Sequence, residues 1–292
     1  MTADLARLLP VLAAAGTGIQ VGAAIVATRF VVHETGPASL AMLRYIIGFA
    51  CLVPPLLVSR RVRIAPRDLI PIAGLGIVQF GVLIALLNYG LSLIPSARAA
   101  LLFATLPLQT MLIGAVLGRE SLSAAKSAGV ILSIVGVGVT LGADVAARGT
   151  GTAAWIGELA VLLSAFSGAS CSVLYRPFLK RYPTLPVSAL AMLAAVGFLA
   201  ILAAGEGFFS SPPAISAGGW AAVVFIGVSS GVGYFLWLWA LNHTSPTRVT
   251  VFLALSPLTA AILGALLLAE PISLATWAGL GLVILGLVLA HR

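Results

Sequence analysis

Apolar runs of about twenty residues follow one another along the chain, separated by short knots of Pro, Gly and charge. They predict spans at 8–28, 38–58, 69–91, 96–117, 123–143, 154–176, 185–204, 217–242, 246–268 and 273–290. As a helix rising about 1.5 Å per residue, roughly 20 apolar residues cross the hydrocarbon core of a bilayer. Gly36-Pro37, the stretch from Arg60 to Asp68, Pro95-Ser96, Tyr182-Pro183, Ser211-Pro212-Pro213 and Glu270-Pro271 mark the gaps between runs. No gap is long enough to fold by itself. The expected fold class is all-α, a polytopic membrane protein of ten transmembrane helices.

Composition agrees with that pattern. The chain is 61% hydrophobic and 8% charged, with a mean hydropathy of +1.15, whereas a soluble domain carries about 25% charged residues. The net charge of +8 forms no basic stripe for a nucleic-acid backbone to follow. It reads instead as an orientation signal, because Lys and Arg accumulate in cytoplasmic loops. Arg60, Arg61, Arg63 and Arg67 fix one loop as cytoplasmic, and alternation puts Arg7, Arg119, Lys126, Arg176, Lys180, Arg181, Arg248 and Arg292 on the same side. Arg29, Arg98 and Arg148 fall on the far side, with Arg44 inside the second span. Both termini are therefore expected in the cytoplasm, and the first run, too long for a signal peptide, is expected to be an uncleaved span. Cys51 and Cys171 lie inside apolar runs and read as packing residues.

An internal repeat sharpens the picture. Residues 89–139 align without gaps on residues 239–289, matching Arg98/Arg248, Pro107/Pro257, Gly114/Gly264, Glu120/Glu270, Ser123/Ser273, Gly129/Gly279 and Gly136/Gly286. Shared Leu and Ala would match by chance; Arg, Pro and Glu in register would not. The expected units are residues 1–146 and 147–292, five spans each. Five is odd, so the second unit enters the membrane from the opposite face. Such inverted repeats are a recurring transporter architecture, with the binding site near the midplane between the halves.

These residues resemble a known family. Pro37 to Tyr45 (PASLAMLRY) is similar to the start of the second helix in EamA-type members of the drug/metabolite transporter superfamily. Pro107, Glu120 and Gly129 resemble that family's fourth-to-fifth helix signature, and Pro257, Glu270 and Gly279 repeat it. The resemblance implies ten helices in two inverted repeats that carry small metabolites, often outward, and it is closest to bacterial exporters of amino acids, including aromatic ones. The first span departs from the family by lacking a Trp-Gly start; Thr17-Gly18 and Gly22 stand near that place.

Polar side chains at bilayer depth are costly unless they face protein or a wet cavity. They fall in spans 1, 3, 4, 6, 8 and 9, which makes those six helices the expected lining. The candidate pathway residues are Gln20, Gln79, Thr105, Gln109, Ser164, Ser167, Tyr175, Tyr234, Trp237, Ser256 and Thr259. For the Ser and Thr residues a bond to a carbonyl one turn back is the competing reading. Pro107 and Pro257 break spans 4 and 9, freeing the carbonyls of Phe103 and Leu253, as hinges or as static kinks. Inversion suggests two ion-pair gates, Arg98 with Glu270 on the outer side and Arg248 with Glu120 on the cytoplasmic side, against the reading that each Glu only ties its loop.

No charge lies near the bilayer centre, and Arg44 and Glu158 are expected to snorkel or to touch the outer vestibule. A neutral cavity suits a zwitterionic or uncharged, partly apolar substrate. Glu158 is the acid placed to carry a proton, although facilitated diffusion serves equally. No HExxH, GxSxG or paired central carboxylates occur, so no enzyme is expected, and neither a cofactor nor a metal. The expected function is alternating-access export of neutral or aromatic amino acids, or similar metabolites, across a bacterial inner membrane. The alternatives are export of other neutral metabolites or drugs, and a channel. The expected partners are a small-molecule substrate and the lipid bilayer, not nucleic acid; monomer and homodimer remain open.

Overall fold

The structure is a computed structural model. It describes residues 3–59, 63–118, 123–148, 152–243 and 255–290, with side chains for 15–59, 63–118, 123–140, 154–233 and 255–289. The described residues are helical apart from turns and short connections, with no strand among them. The helices are α1 (Ala3–Thr35), α2 (Pro37–Val58), α3 (Pro66–Gly76), α4 (Leu83–Leu93), α5 (Ser96–Phe103), α6 (Leu106–Val116), α7 (Ala124–Arg148), α8 (Thr152–Leu174), α9 (Arg176–Arg181), α10 (Thr184–Gly205), α11 (Ala217–His243), α12 (Leu255–Leu268) and α13 (Leu274–Ala290). Six helical stretches are long and apolar enough to span a membrane, and four further apolar helices are shorter within the described residues.

Local chemistry sets most of these boundaries. Pro stands in the first turn of α2, α3, α6 and α9, where its missing N–H is no loss. α1 runs past the expected stop at residue 28 because Arg29 is satisfied by protein. Its Nη1 donates to the Leu91 carbonyl at 2.6 Å, and its Nε lies 3.4 Å from Glu270 Oε1. The third span is continuous from α3 to α4 through a π-helical turn, Ile77–Val82, that carries Gln79. The fourth span is broken at Ala104–Thr105, just before Pro107 in the first turn of α6. There the Thr105 hydroxyl donates to the Leu102 carbonyl at 2.6 Å, and Gln109 Nε2 donates to Thr105 Oγ1 at 2.9 Å. Two expected pathway residues thus bridge the break. Pro257 is buried in the first turn of α12, and residues 244–254 before it lie outside the described residues.

The packing crosses between the two parts of the chain. α1 lies on α11 and α12, and α8 lies on α4, α5 and α6. α2 packs on α11 while α3 packs on α10; α2 with α10, α7 with α13, and α5 with α12 pair directly. Helices approach most closely where side chains are absent. A Cβ on Gly22 would collide with the Ser256 carbonyl of α12, one on Gly90 with Val161 of α8, and one on Gly76 with the Ala191 backbone of α10. Without water to exclude, close packing of small residues is a principal attraction between membrane helices.

At one end of the bundle, Asp68 accepts from Arg181 Nη1 at 2.7 Å and from the Tyr182 hydroxyl at 2.6 Å. This contact holds the start of α3 beside the end of α9.

Gly76 and Gly74 give a paired test. Gly76→Ala should lower thermal stability in detergent by about 1–3 kcal/mol, the usual cost of overpacking. Gly74→Ala, which would meet nothing within 4 Å, should leave the melting temperature unchanged or slightly raised.

Candidate functional site

Between α1 and α11 runs a groove of about 740 Å³. Its wall is almost wholly apolar: Trp220, Val224, Phe225, Val228 and Val232 of α11 present one face to it, joined by Ser229. From α1 come Gly16, Thr17 and Gln20. Gln20 lies over Gly233, where a Cβ would collide with its amide oxygen. Among the described residues nothing hydrogen-bonds the Gln20 amide, which is half-buried near the middle of α1. Gln79 is in the same condition in the π turn. A buried amide without partners costs free energy unless something else satisfies it.

The other candidates are placed differently. Ser164 Oγ donates to the Leu83 carbonyl at 2.8 Å and clips α8 to α4. Ser167 and Thr259 donate to carbonyls one turn back, Leu163 at 2.9 Å and Leu255 at 2.8 Å. Ser256 is buried where α12 meets Gly22. Tyr175 sits in the main hydrophobic cluster at the end of α8, away from the groove. The side chains of Tyr234 and Trp237, together with Arg248 and Glu120, lie outside the described residues. The groove aromatics Trp220 and Phe225 were missed by sequence reasoning, which weighed aromatics further along the same helix.

The charged residues form pairs other than those expected. Arg98 meets Glu158 rather than Glu270: its Nη1 donates to Glu158 Oε1 at 2.9 Å, with both residues buried. Glu158 lies on the inward side of α8, opposite the first turn of α5, and so reaches Arg98. Its carboxylate is committed to that ion pair and does not snorkel. Glu270 turns to the start of α5, where both carboxylate oxygens accept from the Ser96 N–H at 3.0 and 3.2 Å, and Arg29 flanks it. A carboxylate at a helix N-terminus satisfies free N–H groups and the positive end of the helix dipole. Arg44 does not snorkel either; its Nε donates to Ser230 Oγ at 2.5 Å, inside the α2–α11 contact.

Two more acids repeat the Glu270 arrangement at the same end of the bundle. Glu206 accepts from the Ala38 and Ser39 N–H groups at 2.9 and 2.8 Å and from the Ser39 hydroxyl at 2.7 Å, at the start of α2. Gly36, at φ 86°, leaves room for that carboxylate. Glu34, at the end of α1, accepts from the Ser216 N–H and hydroxyl at 2.8 and 3.0 Å, just before α11. Sequence spacing gives no hint of these contacts, since the partners are 167 to 182 residues apart.

The apolar helices define a multi-pass membrane protein, with a groove between α1 and α11. A family model, the EamA-like transporter family, matches residues 8–142 and again 155–292. The chain belongs to that family, whose members are transporters and not enzymes. A probable terminal-alkyne amino-acid exporter of Streptantibioticus cattleyicolor is 34% identical over 230 residues, 77% of this chain and 74% of that one. An uncharacterized transporter of Archaeoglobus fulgidus is 28% identical over 276 residues, 93% of this chain and 94% of that one. A solved crystal structure, 24% identical, superposes with a TM-score of 0.67 over 95% of this chain and 97% of its own, which speaks for the fold alone.

The two ion-pair arrangements predict different couplings. Removing one partner of a buried pair costs about 3–5 kcal/mol. Arg98→Ala and Glu158→Ala should therefore each destabilise strongly, and the double variant should be no worse than either single change. Arg98→Ala with Glu270→Ala should instead be additive. Thermal unfolding of the purified variants measures both cycles.

Proposed function

We propose that this chain is a secondary transporter of small, partly apolar zwitterionic or neutral metabolites, amino acids first, working by alternating access. The observation that carries this reading is the Gln20 amide, left without a hydrogen bond among the described residues in a largely apolar groove at mid-helix. Apolar walls suit an aliphatic or aromatic side chain, and a few convergent polar groups orient a ligand. The amino-acid exporter of Streptantibioticus cattleyicolor, 34% identical, supports the same substrate class.

The proposed architecture is ten helices in two inverted five-helix units, 1–146 and 147–292. Its support is the exchanged packing: α1 meets α11 as α8 meets α4, and α2 meets α11 as α10 meets α3. The contact of Asp68 with Arg181 also puts the two basic loops at one end of the bundle, which five spans per unit require. By the positive-inside rule that end is cytoplasmic, together with both termini, and the membrane is a bacterial inner membrane. The opposite, outer end is then closed here by Arg98–Glu158 and by Glu270 with Arg29 and Ser96. These contacts take the place of the Arg98–Glu270 gate, with Pro107 the flexing point of span 4. Inversion reserves Arg248, Glu120 and Pro257 for the cytoplasmic end.

Counterflow in proteoliposomes tests the mechanism. Preloading with an unlabelled neutral amino acid should stimulate uptake of the labelled one, and Gln20→Leu should weaken that uptake about five- to tenfold, the worth of one hydrogen bond. Flux indifferent to internal substrate would make the protein a pore. Failure across all amino acids would remove the substrate class.

A further inference from the structure

We infer that Arg44 is the anchor for a substrate carboxylate, at the seam of α2 and α11; this deepens the amino-acid reading above. Arg44 stands seven residues beyond Pro37, the first residue of α2, and so about 10 Å into the span at 1.5 Å per residue. The lipid-facing stripe of α2 runs through Ile46, Ala50 and Leu57, all exposed. Arg44 precedes Ile46 by two residues, about 200° around the helix. It shares the side of Ile47, Gly48 and Cys51, which pack on Gly227 and Gly231 of α11. Arg44 therefore lies on the protein-facing side of α2 and not on its lipid-facing stripe.

Its partners are few. Nε donates to Ser230 Oγ, which is held in turn by donating to the Ile226 carbonyl at 2.7 Å. The guanidinium carbon lies 5.7 Å from the centroid of the Tyr45 ring, and Tyr45 is itself buried against Phe80. Neither contact neutralises the charge. A guanidinium has five N–H donors and stays charged in proteins; here one is used, and among the described residues the terminal Nη groups meet no acceptor. Every acid with a described side chain is committed elsewhere: Glu34 to Ser216, Asp68 to Arg181, Glu158 to Arg98, Glu206 to Ala38 and Ser39, and Glu270 to Ser96 and Arg29.

A cation inside a membrane without a counter-charge is expensive and marks an ion or substrate pathway. Its planar fork matches a carboxylate through two parallel hydrogen bonds. Ser230 and Tyr45 fix the fork's plane, so the Nη edge is set before a ligand arrives. Ser229, the next residue on α11, faces the groove beside Gln20, which places a polar step between anchor and groove.

The test compares ligands on the purified wild-type protein in detergent by thermal shift. Isovalerate and L-leucine should bind at least tenfold more tightly than L-leucinamide, which keeps the amine and loses the carboxylate. Arg44→Gln should abolish that preference, Arg44→Lys should retain part of it, and Ser230→Ala should weaken it. Equal binding of leucine and leucinamide by the wild type, or no response to any carboxylate, would overturn the anchor even if Arg44→Gln failed to fold. Isovalerate binding that depends on Arg44, without binding or counterflow of any amino acid, would keep the anchor and remove the amino-acid reading. In phosphatidylcholine nanodiscs, a stabilisation that requires added phosphatidylglycerol and ignores carboxylates would assign Arg44 to a lipid phosphate and overturn the proposal.

Discussion

In hydrocarbon there is no water to complete a hydrogen bond, so each helix start and each polar side chain must find its partner within the protein. The three glutamates at one end of the bundle answer that demand. Glu34, Glu206 and Glu270 each reach a helix start far away in sequence and accept from its free N–H groups. Each contact also joins two elements, so the cap that ends a helix properly is at the same time a tie between helices. Ser164 on the Leu83 carbonyl and Thr105 on the Leu102 carbonyl apply the same rule inside the spans.

Polar groups not consumed in this way stand out by contrast. Among the described residues Gln20, Gln79 and the Nη edge of Arg44 have hydrogen-bonding capacity left over, as do the buried Asn88 Oδ1 and Ser96 Oγ. In a soluble protein such groups would go unnoticed because water would cover them. On the proposed reading Gln20 and Arg44 mark where a ligand replaces water, and the apolar wall of Trp220, Phe225 and Val228 limits what that ligand can be. A molecule with one apolar side and a charged or strongly polar head fits both demands.

Closure at one end follows from charge in the same way. Arg98 and Glu158 are buried together, and opening that end to water would exchange their mutual attraction for hydration. Such a pair adds little to stability relative to apolar packing. On the proposed alternating-access reading, a contact with nearly balanced terms suits a surface that separates and closes again. The break at Ala104–Thr105 separates α5, which carries Arg98, from α6.

Hydrophobic runs and Pro and Gly punctuation were enough to read the helical class and most helix limits, because a bilayer imposes one length and one polarity on every crossing. The repeated Arg, Pro and Glu positions likewise showed the duplication and the family. Side-chain pairing was beyond such reading. Arg98 stands near Glu270 by symmetry yet binds Glu158, since the deciding quantity is which carboxylate the packed helices bring within 3 Å. Arg29 looked like a span end and became part of α1 because Leu91 and Glu270 supply its partners. The sequence by itself determined where the chain forms apolar helices and where they stop, a matter of hydrophobic length and of Pro, Gly and charge along one segment. Only the tertiary structure decided which polar groups are satisfied and which remain open to a ligand, because hydrogen bonds depend on distances between residues that the chain order does not set.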